Sequence, residues 1–166
     1  PNGATEGCWC MWFRESRQEY RARRGDGNRA ALRAIVDDSE LTPGLLAYQG
    51  ERPVGWVSVA PRTDYSRLAR SRVAKRVDDA PVWSIVCFFI HRDARGQGVM
   101  HALVDAAVKF ARDHGATTIE AYPQDTAGRQ PSADDAFVGL LPVFERAGFV
   151  EVARHTPNRP LVRLVL

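Results

Sequence analysis

Val82-Trp83-Ser84-Ile85-Val86-Cys87-Phe88-Phe89-Ile90 runs directly into His91-Arg92-Asp93-Ala94-Arg95-Gly96-Gln97-Gly98-Val99-Met100. The first nine residues are apolar almost throughout and follow Pro81, which reads as a central strand covered on both faces. The turn after it carries two glycines, which let the backbone approach a ligand closely. A helix starts behind them, and its first-turn N–H groups have no partner within the helix. Such a helix start attracts anions, and Arg95 adds a planar fork of donors that suits phosphate. Strand, Arg-Gly-x-Gly turn and helix together therefore read as an anion site for a pyrophosphate.

Downstream, Leu103, Val104, Ala107, Val108 and Ala111 make the buried stripe of that helix, and Gly115 ends it. Thr117 to Tyr122 is a further strand, so one parallel crossover is expected. After a Pro/Asp/Gly-rich loop, a short helix is expected from Leu141 to Ala147, with Pro142 in its first turn and Gly148 at its C-cap. Val150–Ala153 and Leu161–Leu166 close the domain as strands, the last available either as an internal edge or for pairing in a homodimer. Upstream, Leu45–Tyr48 and Val54–Val59 flank a Gly50-Glu51-Arg52 turn as a hairpin. Asn28 is expected to cap a helix carrying Ala31, Leu32, Ile35 and Val36 on one face. A charged helix from Arg14 to Arg24 precedes it, after the aromatic opening Cys8-Trp9-Cys10-Met11-Trp12-Phe13. The arginine-rich stretch Pro61–Ala80 is expected to be functional, mobile or partly helical. The order predicts an α/β (α+β) fold: a mixed, mostly antiparallel sheet flanked by helices, with one parallel strand–helix–strand crossover.

The 166 residues, 45% hydrophobic and 26% charged, fit one soluble domain spanning 1–166. No apolar run is long enough to span a bilayer and no leader pattern is seen, so no membrane association and a cytoplasmic location are expected. Since the chain starts at Pro1 rather than Met, residues upstream are expected to be missing. The net charge of +3 is almost all arginine, the only lysines being Lys75 and Lys109. That balance lacks the dense basic stripe of a nucleic-acid binder, so no nucleic acid is expected as partner. Cys8, Cys10 and Cys87 make no disulfide framework and lack a fourth ligand for zinc, so reduced cysteines and no metal are expected.

Two nucleotide-binding readings of the turn fail on residues. A Rossmann fingerprint needs a third glycine where His101 stands, and a P-loop needs Gly-Lys-Ser/Thr. The segment Ile90–Met100 instead resembles the cofactor motif of the GNAT N-acetyltransferase superfamily, Arg/Gln-x-x-Gly-x-Gly/Ala. Arg92 departs from a common proline and Met100 from the last glycine or alanine. Val143-Phe144-Glu145-Arg146-Ala147-Gly148-Phe149 resembles the family's late helix, and the resemblance covers essentially the whole chain.

The resemblance implies acetyl-CoA (coenzyme A) as co-substrate and transfer of its acetyl group to a primary amine by direct attack in a ternary complex. It places the cofactor on Phe88, Phe89, Ile90, Arg95, Gly96, Gln97, Gly98, Val99, Met100 and His101, with backbone N–H groups of the strand aimed at the thioester oxygen. It also shows changed chemistry. Ser84 stands where some members have a glutamate base, Phe144 where many have a tyrosine acid, and Phe137 at the family's asparagine. Substitute proton carriers are sought in Asp125, Ser84 and Tyr122, with Glu120 and His91 nearby. Asp125 is the preferred water-mediated base. Trp12 and Tyr65, with Trp9 and the 61–80 segment, are assigned to the acceptor side. The acceptor is a small-molecule or peptide amine. The losses at Ser84 and Phe144 leave a second reading, a catalytically weak or inactive module that senses acyl-CoA.

Overall fold

The computed structural model describes residues 7–129, 132 and 136–166. Strands β1 (Gly44–Gln49), β2 (Arg52–Pro61), β3 (Trp83–Ile90), β4 (Thr118–Ala121), β5 (Val150–Thr156) and β6 (Arg159–Val165) alternate with helices α1 (Arg17–Ala22), α2 (Asp26–Asp38), α3 (Val99–Asp113) and α4 (Leu141–Arg146). They form one six-stranded sheet in the order β1-β2-β3-β4-β6-β5. Among these strands only β3 and β4 pair in parallel, joined by α3 as the crossover. The mixed, mostly antiparallel sheet is the one expected. Strand β6 lies between β4 and β5, so it is paired on both sides and has no edge to offer a second copy; the sheet's edges are β1 and β5.

Each face of the sheet has its own core. On one, Val57, Val59, Ile85 and Ile119 meet Leu103, Val104, Ala107 and Ala111 of α3 and Phe144 of α4. The helix lies close, since a Cβ on Gly55 of β2 would come 2.9 Å from Val99 and 3.1 Å from Leu103. On the other face, Val86, Cys87, Tyr122 and Leu161 are covered by Tyr65, Leu68 and Ala74. The 61–80 stretch is therefore a packed cover with two short 3-10 turns, Arg62–Asp64 and Ser66–Arg70. Its polar composition hides a buried minority of residues.

The N-terminal helices differ from expectation in two ways. Helix α1 is confined to Arg17–Ala22, where Ser16 and Glu19 form a reciprocal cap. Asn28 is not a cap: α2 starts two residues earlier, and Asn28 is fully buried within it. Its Nδ2 donates to the Gly7 carbonyl at 2.9 Å. A tertiary hydrogen bond to the opening segment thus outcompetes the local cap that its side chain favours.

Candidate active site

Strand β3 changes face midway. Ser58 pairs with Cys87 and Val59 with Ile85, which leaves Val86 as an extra residue, a β-bulge. Before the bulge β3 pairs with β4 at Trp83–Ile119, Ser84–Glu120 and Ile85–Ala121; beyond Ile85 the parallel pairing ends and the strands diverge. The bulge bends the strand, and a gap opens on its β4 side.

The gap is filled by the chain itself. The Phe88 N–H, which faces it, donates to the Phe137 carbonyl at 2.6 Å, and the Gln124 N–H donates to the Gly139 carbonyl at 2.9 Å. Leu141 N–H returns a bond to the Gln124 carbonyl at 3.0 Å. Residues 136–141 thus form a clasp between β3 and the chain after β4. Phe144 is fully buried, edge-on to Phe88 and Phe149.

One turn further, Gly96 and Gly98 hold φ of +73° and +80°, and nothing lies within 4 Å of where a Cβ would stand on either. Gly98 precedes α3 without any side-chain cap, so first-turn N–H groups there open onto that space. Around them, Gln97 donates to the Asp93 carbonyl at 2.7 Å and accepts from Gln49 at 2.9 Å, fastening the turn to the β1–β2 hairpin. Arg95 is exposed, its Nε on the Ile90 carbonyl at 3.2 Å. Val99 and Met100 pack on the core, His101 Nε2 lies 3.4 Å from Arg146 Nη1, and Phe89 is exposed beside the turn. An uncapped helix start beneath an open glycine surface, with one arginine at its rim, fits a pyrophosphate.

On the face away from α3, the expected proton carriers separate into two places. Ser84 Oγ lies 2.9 Å from Tyr122 OH, which donates to Glu120 Oε1 at 2.5 Å. Because the one phenolic proton goes to Glu120, Ser84 is the donor in its own bond. Arg62 Nη1 donates to both Glu120 and Tyr122, and Arg163 Nε reaches Glu120 Oε2 at 3.0 Å. Ser84, Glu120 and Tyr122 are at most 2% exposed. Burial, then the Glu120 charge, pushes the Tyr122 hydroxyl well above its ordinary range. Asp125 stands apart, bonded to the Ala127 N–H at 2.9 Å and to Arg154 at 2.8 Å. These two partners, the N–H first, hold its carboxyl below the ordinary range.

On the acceptor side, Tyr65 is 1% exposed with its hydroxyl 3.0 Å from Ser58 Oγ, so it is core in this arrangement. Trp12 remains at the surface under the Arg67 guanidinium, 3.8 Å above its ring. A cleft beside them is lined by Arg14, Ile35, Leu41, Pro43, Ala60 and Asp64. Sequence reasoning passed over Arg62 and Arg163, because nothing local separates Arg62 from its surface neighbours.

The acetyltransferase (GNAT) family profile matches residues 9–135, most of the chain and all of this site up to the clasp. The chain belongs to that family. The GNAT fold recurs in solved structures of low identity. A ribosomal-protein-alanine N-acetyltransferase from Brucella melitensis is 17% identical over 84% of this chain and 77% of its own, with a TM-score of 0.55. The NatC complex bound to Gag peptide and CoA is 14% identical over 82% and 79%, at 0.54. An agmatine N-acetyltransferase is 11% identical over 82% of each chain, at 0.52. No curated protein matches this GNAT chain by sequence. Among the described residues no helix is long and apolar enough to cross a membrane.

Proposed function

We propose that this acyltransferase moves an acetyl group from acetyl-CoA to a primary amine of a small molecule or peptide, by direct attack. The observation that carries the reading is the bulge at Val86, which turns the Phe88 N–H into a gap one turn upstream of the open Gly96–Gly98 surface. Acetyl-CoA supplies the activated acyl group and a thiolate leaving group. Backbone N–H groups at Gly98–His101, with the Arg95 guanidinium, hold the pyrophosphate, while the β3 edge at Phe88 and Ile90 holds the thioester end. An N–H aimed at the thioester oxygen stabilises the charge that grows there as the amine attacks. The Phe137 carbonyl now takes that N–H, so the clasp must yield it before transfer.

Ser84, Tyr122 and Glu120 act on this reading as positioning residues, riveting β3 to β4 one step before the last pair, Ile85–Ala121. Glu120 is sealed beneath two guanidiniums, out of reach of an incoming amine, and Asp125 is committed to Arg154. The amine proton therefore leaves to water. Names of similar structures, a ribosomal-protein-alanine N-acetyltransferase and an agmatine N-acetyltransferase among them, support an amine acceptor.

The occupied Phe88 N–H also favours a second reading, a module that binds acyl-CoA without turning it over. Calorimetry with acetyl-CoA on the intact protein and on an Arg95→Ala, Gly98→Glu variant, followed by thiol release with a panel of amines, tests both. Binding near micromolar, about −8 kcal/mol, lost in the variant and followed by thiol release, supports the transferase. Binding without release leaves the sensor, and no binding by the folded intact protein refutes both.

A further inference from the structure

Two sulfurs meet where the N-terminal segment crosses β3. Cys10 Sγ lies 3.4 Å from Cys87 Sγ, though the residues are 77 apart in sequence. Trp56 Nε1–H donates to Cys10 Sγ at 3.0 Å. Backbone conformation imposes the approach: Trp9 and Cys10, in succession, hold φ of 46° and 56°. Non-glycine residues adopt that left-handed region at a cost and keep it where the surroundings over-determine them. Here two in a row aim one sulfur at another.

The pair is asymmetric. Cys87 is buried, and its bond with Cys10, then burial, push its thiol well above the ordinary range. Cys10 is half-buried and its thiol is lowered, first by its hydrogen bond with Cys87, with the Trp56 N–H and the Arg14 charge adding to it. Of the two, Cys10 is the more readily ionised and Cys87 the one that holds its proton more tightly. Among the described residues no three His, Cys, Asp or Glu side chains group as a metal site.

We propose that Cys10 and Cys87 form a redox-sensitive thiol pair that hydrogen peroxide converts into a disulfide, tying the N-terminal segment to β3 one residue before Phe88. The Cys10 thiolate attacks one peroxide oxygen, breaking the O–O bond, releasing hydroxide and leaving a sulfenic acid. Cys87 gives its proton to that hydroxide and attacks the Cys10 sulfur; the sulfenic hydroxyl leaves and takes a proton, as water. The two sulfurs lose two electrons and the two peroxide oxygens gain them. Bonding requires the sulfurs to close by about 1.4 Å, to the usual disulfide length.

A peptide map of the full chain after peroxide treatment, run without reductant, tests the pair. The expected product is one peptide linking Cys10 to Cys87, lighter than the two thiol peptides by two hydrogens and separated again by dithiothreitol. It forms in the intact protein and in Cys8→Ser, but not in Cys10→Ser. The linked form also melts at higher temperature, because the bond closes a long loop in the unfolded chain. The pair is overturned if all three thiols survive, if Cys10 stops at an over-oxidised acid, or if the link runs through Cys8. Should Cys87→Ser fail to fold, the map of the intact protein still decides. Control of activity rests on the acetyl-transfer reading, whereas the map does not. On that reading the linked form transfers severalfold more slowly with acetyl-CoA binding unchanged, and equal rates overturn the control.

Discussion

Gly139→Ala separates the stability of the clasp from the affinity for acetyl-CoA. Gly139 holds φ of +85°, and a Cβ there would stand 2.5 Å from Phe144 Cε2 and 3.0 Å from Phe88 Cε2. Keeping the turn in place costs about 1–2 kcal/mol for the left-handed backbone, plus about 1–3 kcal/mol for crowding two buried rings. Letting it swing out costs instead the Phe88–Phe137 and Gln124–Gly139 hydrogen bonds, about 1 kcal/mol each. Release, at about 2 kcal/mol, thus costs no more than retention, at about 2–5 kcal/mol, and a stability loss of about 2 kcal/mol is expected through release. On the acetyl-transfer reading the intact protein breaks the same Phe88 bond to admit a thioester, so a variant already released should bind acetyl-CoA more tightly, by up to about tenfold for 1.4 kcal/mol. Urea unfolding and calorimetry on one preparation read the two numbers. Affinity that falls in step with stability would refute the clasp as a competitor for the Phe88 N–H. An unchanged unfolding midpoint would refute the packing it is derived from.

Arg62→Met should destabilise strongly, because Arg62 and Glu120 are 7% and 1% exposed; breaking a buried pair costs about 3–5 kcal/mol. Arg163 stays on Glu120, so the lower end is expected, and a midpoint shift under about 1 kcal/mol would mean that water reaches the carboxylate. Tyr122→Phe should lose about 1–3 kcal/mol of stability and lower kcat without altering its pH profile; a shifted profile would return Tyr122 to proton transfer. Asp125 and Glu151 are held below their usual range, Asp125 by the Ala127 N–H and then Arg154, Glu151 by Arg154. Their contribution to stability is present above the unfolded values and lost as pH falls through the folded ones. Stability should therefore decline below about pH 4.5, the ordinary glutamate value. Arg154→Gln should make that decline shallower, and an identical acid limb in the variant would remove the pairs from the account.

Local signals reached much of this. Alternation and turn residues located the β1–β2 hairpin, and helical spacing located α3, because strand and helix periods are written in neighbouring residues. Pro142 and Gly148 bracketed α4 for the same reason. What stayed hidden depends on pairing distant in sequence. Asn28 favours capping by its own chemistry, and only Gly7, 21 residues away, draws it inside the helix. Arg62 resembles the other arginines of its stretch until Glu120 arrives from 58 residues on. The bulge at Val86 lies within an apolar run with no turn residue, so it becomes visible only against the register of β2.

The same register decides how the amine can lose its proton. Ser84 occupies the position where the family resemblance expects a glutamate, and its partner across the parallel pair is Glu120. Side chains at matched steps of adjacent strands rise from the same face, so the missing carboxylate reappears one strand over. It does not return as a base. In β4 it is sealed beneath Arg62 and Arg163 and accepts a hydrogen bond from the Tyr122 hydroxyl. With its oxygens engaged by Arg62, Arg163 and Tyr122, this carboxylate leaves no place for an incoming amine. On the acetyl-transfer reading, the attacking amine then arrives already neutral, as the fraction its own pKa allows. With saturating acetyl-CoA, the logarithm of kcat/KM should climb with unit slope up to the pKa of the amine, and amines of different pKa should give shifted but parallel curves. A plateau at one pH shared by all amines would instead reveal a titrating group of the protein, and Asp125 or His91 would be the first side chains to replace.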